Sequence, residues 1–336
     1  MVKKLTPQKL SEWLSSLASA GKLFGPIKKS HEWGKIKDIE NLGYAFENTL
    51  SPKDINFPQD QTLFKFDLKK PVESFTDIMP KIPEGAVLWG LHPCDARALD
   101  LIHRVYNEND YKDPYFNTVW DNMIRIATGC TDPPATCFCT SFKGGSPFGT
   151  QGVDVMATEI NGEWLFEAIT QRANSCMMQL PDAVESDVEK LAAVKNEATD
   201  KVNSKVPTEV EQKLWQLFAN DDFWFDIGSR CLGCGICTFV CPSCYCFDIL
   251  DEHLDRRARR YRTWDACQFG LFTLEASGHD PRPTQKHRIR QRMMHKLSFF
   301  AKRYDGTQLC VGCGRCVREC PVNIDIREVA RNAATK

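Results

Sequence analysis

Two short runs constrain this chain more than anything else in its 336 residues. The first is Cys231-Leu-Gly-Cys234-Gly-Ile-Cys237-Thr-Phe-Val-Cys241-Pro242, and the second is Cys310-Val-Gly-Cys313-Gly-Arg-Cys316-Val-Arg-Glu-Cys320-Pro321. Both follow the spacing C-x2-C-x2-C-x3-C-P. Three thiolates so placed let a tight loop wrap three corners of a four-iron cubane, and the fourth cysteine reaches a neighbouring cluster. Gly233, Gly235, Gly312 and Gly314 suit such loops because glycine tolerates positive φ and lets backbone N–H groups approach the sulfur atoms. The expected ligand sets are therefore crossed: Cys231, Cys234, Cys237 and Cys320 for one [4Fe-4S] cluster, and Cys310, Cys313, Cys316 and Cys241 for the other. Zinc or free thiols would explain one such run, but two copies, each closed by Cys-Pro, favour clusters.

Sixteen cysteines would suit a disulfide scaffold in a small secreted domain. Here the chain is long and 42% hydrophobic, so it can bury a core without covalent staples. None of the cysteines precedes Cys94, and they cluster, which favours metal or redox chemistry in a reducing compartment. Basic residues at the N-terminus lack the apolar stretch of a signal peptide. No apolar run approaches the roughly 18–20 residues of a membrane helix. A cytoplasmic protein without a membrane span is expected. A formal net charge of −1 gives no global pull toward nucleic acid.

The remaining sequence reads as an α+β or α/β N-terminal domain over 1–222, then a ferredoxin-like dicluster domain over 223–336 with a long helical insertion at 249–305. Thr6, Pro7 and Gly21 mark a first helix as N-cap, first turn and end. Gly85–His92 reads as a buried strand leading into a helix over 95–106. Met123–Thr128, Val153–Ile160 and Trp164–Ile169 read as further strands, and 180–200 and 206–220 as helices.

Six other cysteines stand in suggestive places. Cys130, Cys137 and Cys139 share a Gly/Pro-rich loop, and Cys244, Cys246 and Cys267 lie in the connection between the two motifs. Each trio is either a set of buried thiols or part of an extra centre, such as a third iron–sulfur cluster. Cys94, between a strand and a helix, sits where α/β folds place ligands. His92, His103 and His279 read as packed or surface histidines. Residues 251–302 carry twelve Lys and Arg against six Asp and Glu. Arg256, Arg257, Arg259, Arg260 and Arg262 form either a solvated helix face or a dock for an acidic partner. There is no dinucleotide fingerprint, Walker loop, nucleophile elbow or H-E-x-x-H motif, so no catalytic residues are assigned.

The stretch Cys231–Asp248, together with Trp264-Asp-Ala-Cys-Gln-Phe and Glu275-Ala-Ser-Gly-His, resembles one family. It comprises the A subunits of anaerobic sulfite reductases and the beta subunits of cytoplasmic sulfhydrogenases, which are nickel–iron hydrogenases. Ser51-Pro-Lys, Phe57-Pro-Gln, Gly90-Leu-His-Pro-Cys-Asp-Ala-Arg97 and Cys137-Phe-Cys-Thr-Ser extend the similarity over nearly the whole chain. The resemblance implies an electron-transfer subunit with FAD on an NAD(P)H-binding partner and a terminal catalytic subunit beyond. The alternative is a self-contained flavin or thiol-active oxidoreductase built on the N-terminal cysteine loop.

Overall fold

The computed structural model describes residues 2–44, 49–178 and 180–336. Eleven strands fall in two sheets among those residues. The first sheet contains β1 (Val2–Leu5), β2 (Leu23–Pro26), β3 (Trp33–Lys35), β6 (Ala86–Leu91), β7 (Met123–Thr128), β8 (Val155–Ile160) and β9 (Glu163–Ala168). The second contains β4 (Asp60–Asp67), β5 (Thr76–Asp77), β10 (Phe247–Leu254) and β11 (Arg257–Trp264).

The larger sheet runs β1-β9-β8-β7-β6-β2-β3. Its central pairs, β2 with β6, β6 with β7, and β7 with β8, are parallel. Every residue of β6 is buried, as expected for a parallel strand covered on both faces. One face packs under the Pro7–Ser19 helix, which buries Leu10 and Leu14 with Trp89 and Phe166. Thr6 caps that helix by accepting from the Lys9 amide at 3.4 Å. The other face meets the Pro93–Val105 helix through Leu99 and Ile102. A buried ion pair, Arg125 to Asp154 at 2.9 Å, ties β7 to the entry of β8. Strands, crossover helices and layers together make the chain a mixed α/β fold.

A second core gathers helices around the cysteine motifs. Trp224 is fully buried in it and donates to the Leu217 carbonyl at 2.8 Å. Gly228 allows the Asp221–Arg230 helix to cross the Gln285–Met294 helix closely, since an added Cβ would stand 2.7 Å from the Lys286 Cα. The C-terminal Ile326–Ala334 helix presents Ile326, Val329, Ala330 and Ala333 to this core at helical spacing.

The connection between the motifs departs from the expected helical insertion. Its first part is the β10–β11 hairpin, and helix appears only over Gln285–Met294, with a π turn at His295–Phe299 and a last turn at Phe300–Arg303. Charge pairing across strands accounts for the difference. Asp251 lies opposite Arg260 and Glu252 opposite Arg259, and opposite charges directly across an antiparallel pair are stabilising. The basic cluster is thus no solvated helix face. Arg259 pairs with Asp60 at 2.9 Å, Arg260 with Asp251 at 2.6 Å, and buried Arg262 with Asp113 at 2.6 Å. Its charge is largely neutralised within the chain. Strand β11 also pairs with β4, so this sheet draws two strands from each side of residue 222.

Candidate iron–sulfur centres

Both cysteine runs fold into the same local shape. Gly233 and Gly312 have φ of +68°, and Gly235 and Gly314 have φ of +75° and +71°. Each second glycine starts a single helical turn, Ile236–Phe239 in the first run and Arg315–Arg318 in the second. The left-handed residues expose backbone amides toward the loop interior, as a thiolate-bound anion requires.

The loops enclose two small cavities. One is lined by Cys231, Cys234 and Cys237 of the first run, and by Cys316 and Cys320 of the second. The other is lined by Cys310, Cys313 and Cys316, and by Cys241 from the first run. The last cysteine of each run faces the cavity of the other. Hydrogen bonds aim at the sulfurs: the Ile324 amide donates to Cys320 Sγ at 3.1 Å, and Gln285 Nε2 to Cys231 Sγ at 3.2 Å. Among the described residues, no three His, Cys, Asp or Glu side chains close up as they would around a single ion. The donor set is all sulfur, and a multi-iron cluster spreads its ligands more widely than one ion does, so the residues fit a cluster.

Charge supports the same conclusion. Arg292 lines both cavities and Lys296 lines the second, and both side chains are buried without a carboxylate partner among the described ion pairs. A buried cation needs an anion, and the thiolates are what these two face. Burial pushes the Cys237 thiol up to about 12 and Cys316 to about 11. Bare, these cysteines hold their protons, and iron must displace them, so cluster assembly releases protons.

The N-terminal cysteines do not join either cavity, but they lie against the second one. The loop holding Cys130, Cys137 and Cys139 buttresses it. The Phe138 amide donates to the Gly312 carbonyl at 2.8 Å, and Cys137 Sγ donates to the Cys313 carbonyl at 3.6 Å. Cys94 stands in the first turn of the Pro93–Val105 helix. Its neighbour Asp95 is fully buried and takes both arms of Arg315 at 2.5 and 2.9 Å. Arg97 donates to the Cys310 carbonyl at 3.4 Å and the Lys143 carbonyl at 3.1 Å. The stretch Gly90–Arg97 therefore works as a clamp on the second motif. His92 is buried and His279 exposed, while His103 stacks on Trp120 with ring centroids 4.4 Å apart.

Asp95, Arg97, Arg292 and Lys296 escaped the sequence reading because their partners are distant in the chain. One local signal did exist. Lys296 lies in the π turn His295–Phe299, and such bulges inside helices often mark functional positions.

Comparison with known proteins agrees with this geometry. The family described as "4Fe-4S dicluster domain" matches residues 230–324. The sulfhydrogenase 2 subunit beta of Pyrococcus furiosus is 27% identical over 334 residues, covering 96% of this chain and 95% of that one. No solved structure matches. No helix among the described residues is long and apolar enough to cross a membrane. Built on two thiol-lined cavities, this chain carries a 4Fe-4S dicluster domain and is similar almost end to end to a sulfhydrogenase beta subunit, as an iron–sulfur electron-transport component would be.

Proposed function

We propose that this chain relays single electrons inside a multi-subunit cytoplasmic oxidoreductase. The donor and acceptor are a partner subunit binding FAD and NAD(P)H, and a terminal catalytic subunit of the sulfite reductase or hydrogenase type. One observation carries the reading: two thiol-lined cavities share Cys316 and Arg292 as a common wall. Cys231, Cys234, Cys237 and Cys320 would hold one [4Fe-4S] cluster, and Cys310, Cys313, Cys316 and Cys241 the other. Bound clusters would supply reversible one-electron storage. The protein would hold them close together, exclude water with Ile289, Met293 and Phe138, and set their potential through Arg292 and Lys296. The near full-length match to a sulfhydrogenase subunit supports placement in a complex.

The test is the full chain purified without oxygen. At least about eight irons per chain are expected, two four-iron clusters' worth, with a broad visible absorbance that dithionite bleaches. Alone, the chain should oxidise no NAD(P)H. A protein without iron would sink the reading.

A second reading has one observation in its favour. A cavity of about 380 Å³ opens between the Pro7–Ser19 helix and the ends of β6 and β7, lined by Trp89, Gly90, Thr128, Gly129 and Trp164. Cys130 follows directly. A flavin retained by the isolated chain would favour a self-contained flavin or thiol-active oxidoreductase.

A further inference from the structure

Three buried cations converge on one cysteine of the second cavity. Lys296 donates to the Ser243 hydroxyl at 2.9 Å, and that oxygen stands 3.5 Å from Cys241 Sγ. Arg292 donates to Cys244 Sγ at 3.6 Å. Lys53 comes from the N-terminal part of the chain and donates to the Thr238 and Cys244 carbonyls at 3.2 Å each. All three have the Cys241 sulfur within Coulombic reach, and Cys241 lines the second cavity. Burial brings the Lys53 ammonium down to about 8, so at neutral pH it still carries its charge. The other cysteines of the connection stand back from the cavities. Cys244 turns to Cys241, Cys246 and Cys267 touch each other, and none of the three lines either cavity.

The first motif is charged differently. Among the described residues, Arg292 is the only cation lining its cavity. Arg288, one turn earlier in the same helix, is half-buried and donates to Gln285 and the Arg282 carbonyl. Neutral donors serve the first cavity instead, the Ile324 amide on Cys320 Sγ and Gln285 on Cys231 Sγ. On the second side Arg97 adds a further charge at the Cys310 carbonyl, whereas Arg315 is matched by Asp95.

Reducing a cluster adds one negative charge to it. Water, hydrogen bonds to the sulfurs and nearby cations all stabilise that charge. Exposure and neutral donors therefore favour reduction at the first motif, and buried cations favour the second. A full charge reaches farther than a dipole, and inside the protein its effect is about fourfold that in water. We infer that Lys296, Lys53 and Arg292 make the second cluster the electron sink of the pair, with Lys296 contributing most. Lys296 lines that cavity, as Lys53 does not, and it is not shared with the first cavity, as Arg292 is. This rests on the two-cluster relay reading above and adds an order of filling to it. An electron entering at the exposed Cys234 would run downhill into the sealed second motif.

The experiment is a redox titration of the full chain, purified anaerobically and followed by the electron paramagnetic resonance of its reduced clusters. Cys234→Ser and Cys313→Ser assign the two signals, because each alters or removes the signal of its own cluster. The second cluster should fill first, with at least a tenfold preference for the electron, a gap of about 59 mV or more. Lys296→Met should lower the second midpoint and leave the first in place, and Lys296→Arg should keep the parent order. Lys53→Met should lower the second midpoint by less, and Arg292→Met should lower both. If Lys296→Met does not load its second cluster, Lys53→Met decides, and an unmoved second midpoint there overturns the inference. So does a first cluster that fills first, or a Lys296→Met variant that shifts neither midpoint or both equally. These outcomes leave the two-cluster relay intact, whereas a parent without iron overturns both.

Discussion

The two cysteine motifs have the same spacing and the same backbone, yet the structure treats them differently. Leu232 and Val311 occupy equivalent positions, and they are 67% and 2% exposed. The first loop faces outward. The second is sealed by the N-terminal loop on one side and by the Asp95–Arg315 pair beneath it. Local sequence dictates the cradle, whereas tertiary packing decides which cradle stays open to a partner. An exposed centre is a place for electrons to enter or leave a subunit, and a buried one is suited to passing them on.

The largest expected contrast lies in the glycines. A Cβ at Gly312 would meet the Cys139 backbone at 2.5 Å, whereas one at Gly233 would meet the movable end of Gln285 at 3.0 Å. Both positions also carry the cost of positive φ. Gly312→Ala should cost about 3–5 kcal/mol and lose the second cluster, and Gly233→Ala about 1–2 kcal/mol. Thermal unfolding with iron analysis would show it, and equal losses would break the contrast between the motifs.

Next comes the clamp. Asp95→Asn leaves Arg315 buried beside a neutral partner and should cost about 3–5 kcal/mol. The exposed Asp226–Arg230 pair near the first motif, 3.9 Å apart, should tolerate Asp226→Asn within about 0.5 kcal/mol. Denaturant titration of the two variants measures the gap. Chelation offers a kinetic version of the same comparison. Visible absorbance should decay in separate phases under a strong iron chelator, the fastest belonging to the cluster at Cys234. A single phase, or first loss of the cluster at Cys313, would remove the idea that exposure distinguishes them. The smallest effect on stability is expected at Leu232. Leu232→Ser should unfold within about 0.5 kcal/mol of the parent and yet slow electron exchange with an added redox partner. Unchanged exchange would mean that the open motif is not the port.

Much of this was readable in the sequence because the signals were local. The cysteine spacing announced the two loops, and the Thr6 cap, the buried run at 86–91 and the strand at 123–128 appear as expected. What escaped depends on distance along the chain. Lys53 meets Cys244 only after folding, as Asp95 meets Arg315 and β4 meets β11. The Arg256–Arg262 run illustrates the difficulty. Its charges suit an exposed helix equally well until Asp60, Asp113 and Asp251 are brought opposite. The four-residue β1 carried too short a pattern to be seen.

The sheet that joins β4 to β11 also governs the birth of the protein. Asp67 pairs with Arg257, so an early strand must wait for a late one while the chain is still being synthesised. At roughly 5–20 residues per second, that wait is about 10–40 s. During it β4 offers an unpaired edge with Phe64 and Phe66, a template for wrong pairing between nascent chains. Only when the hairpin arrives is that edge covered. Iron delivered before Cys320 is made would find the first cavity without one of its thiols, so cofactor loading should wait for the second motif.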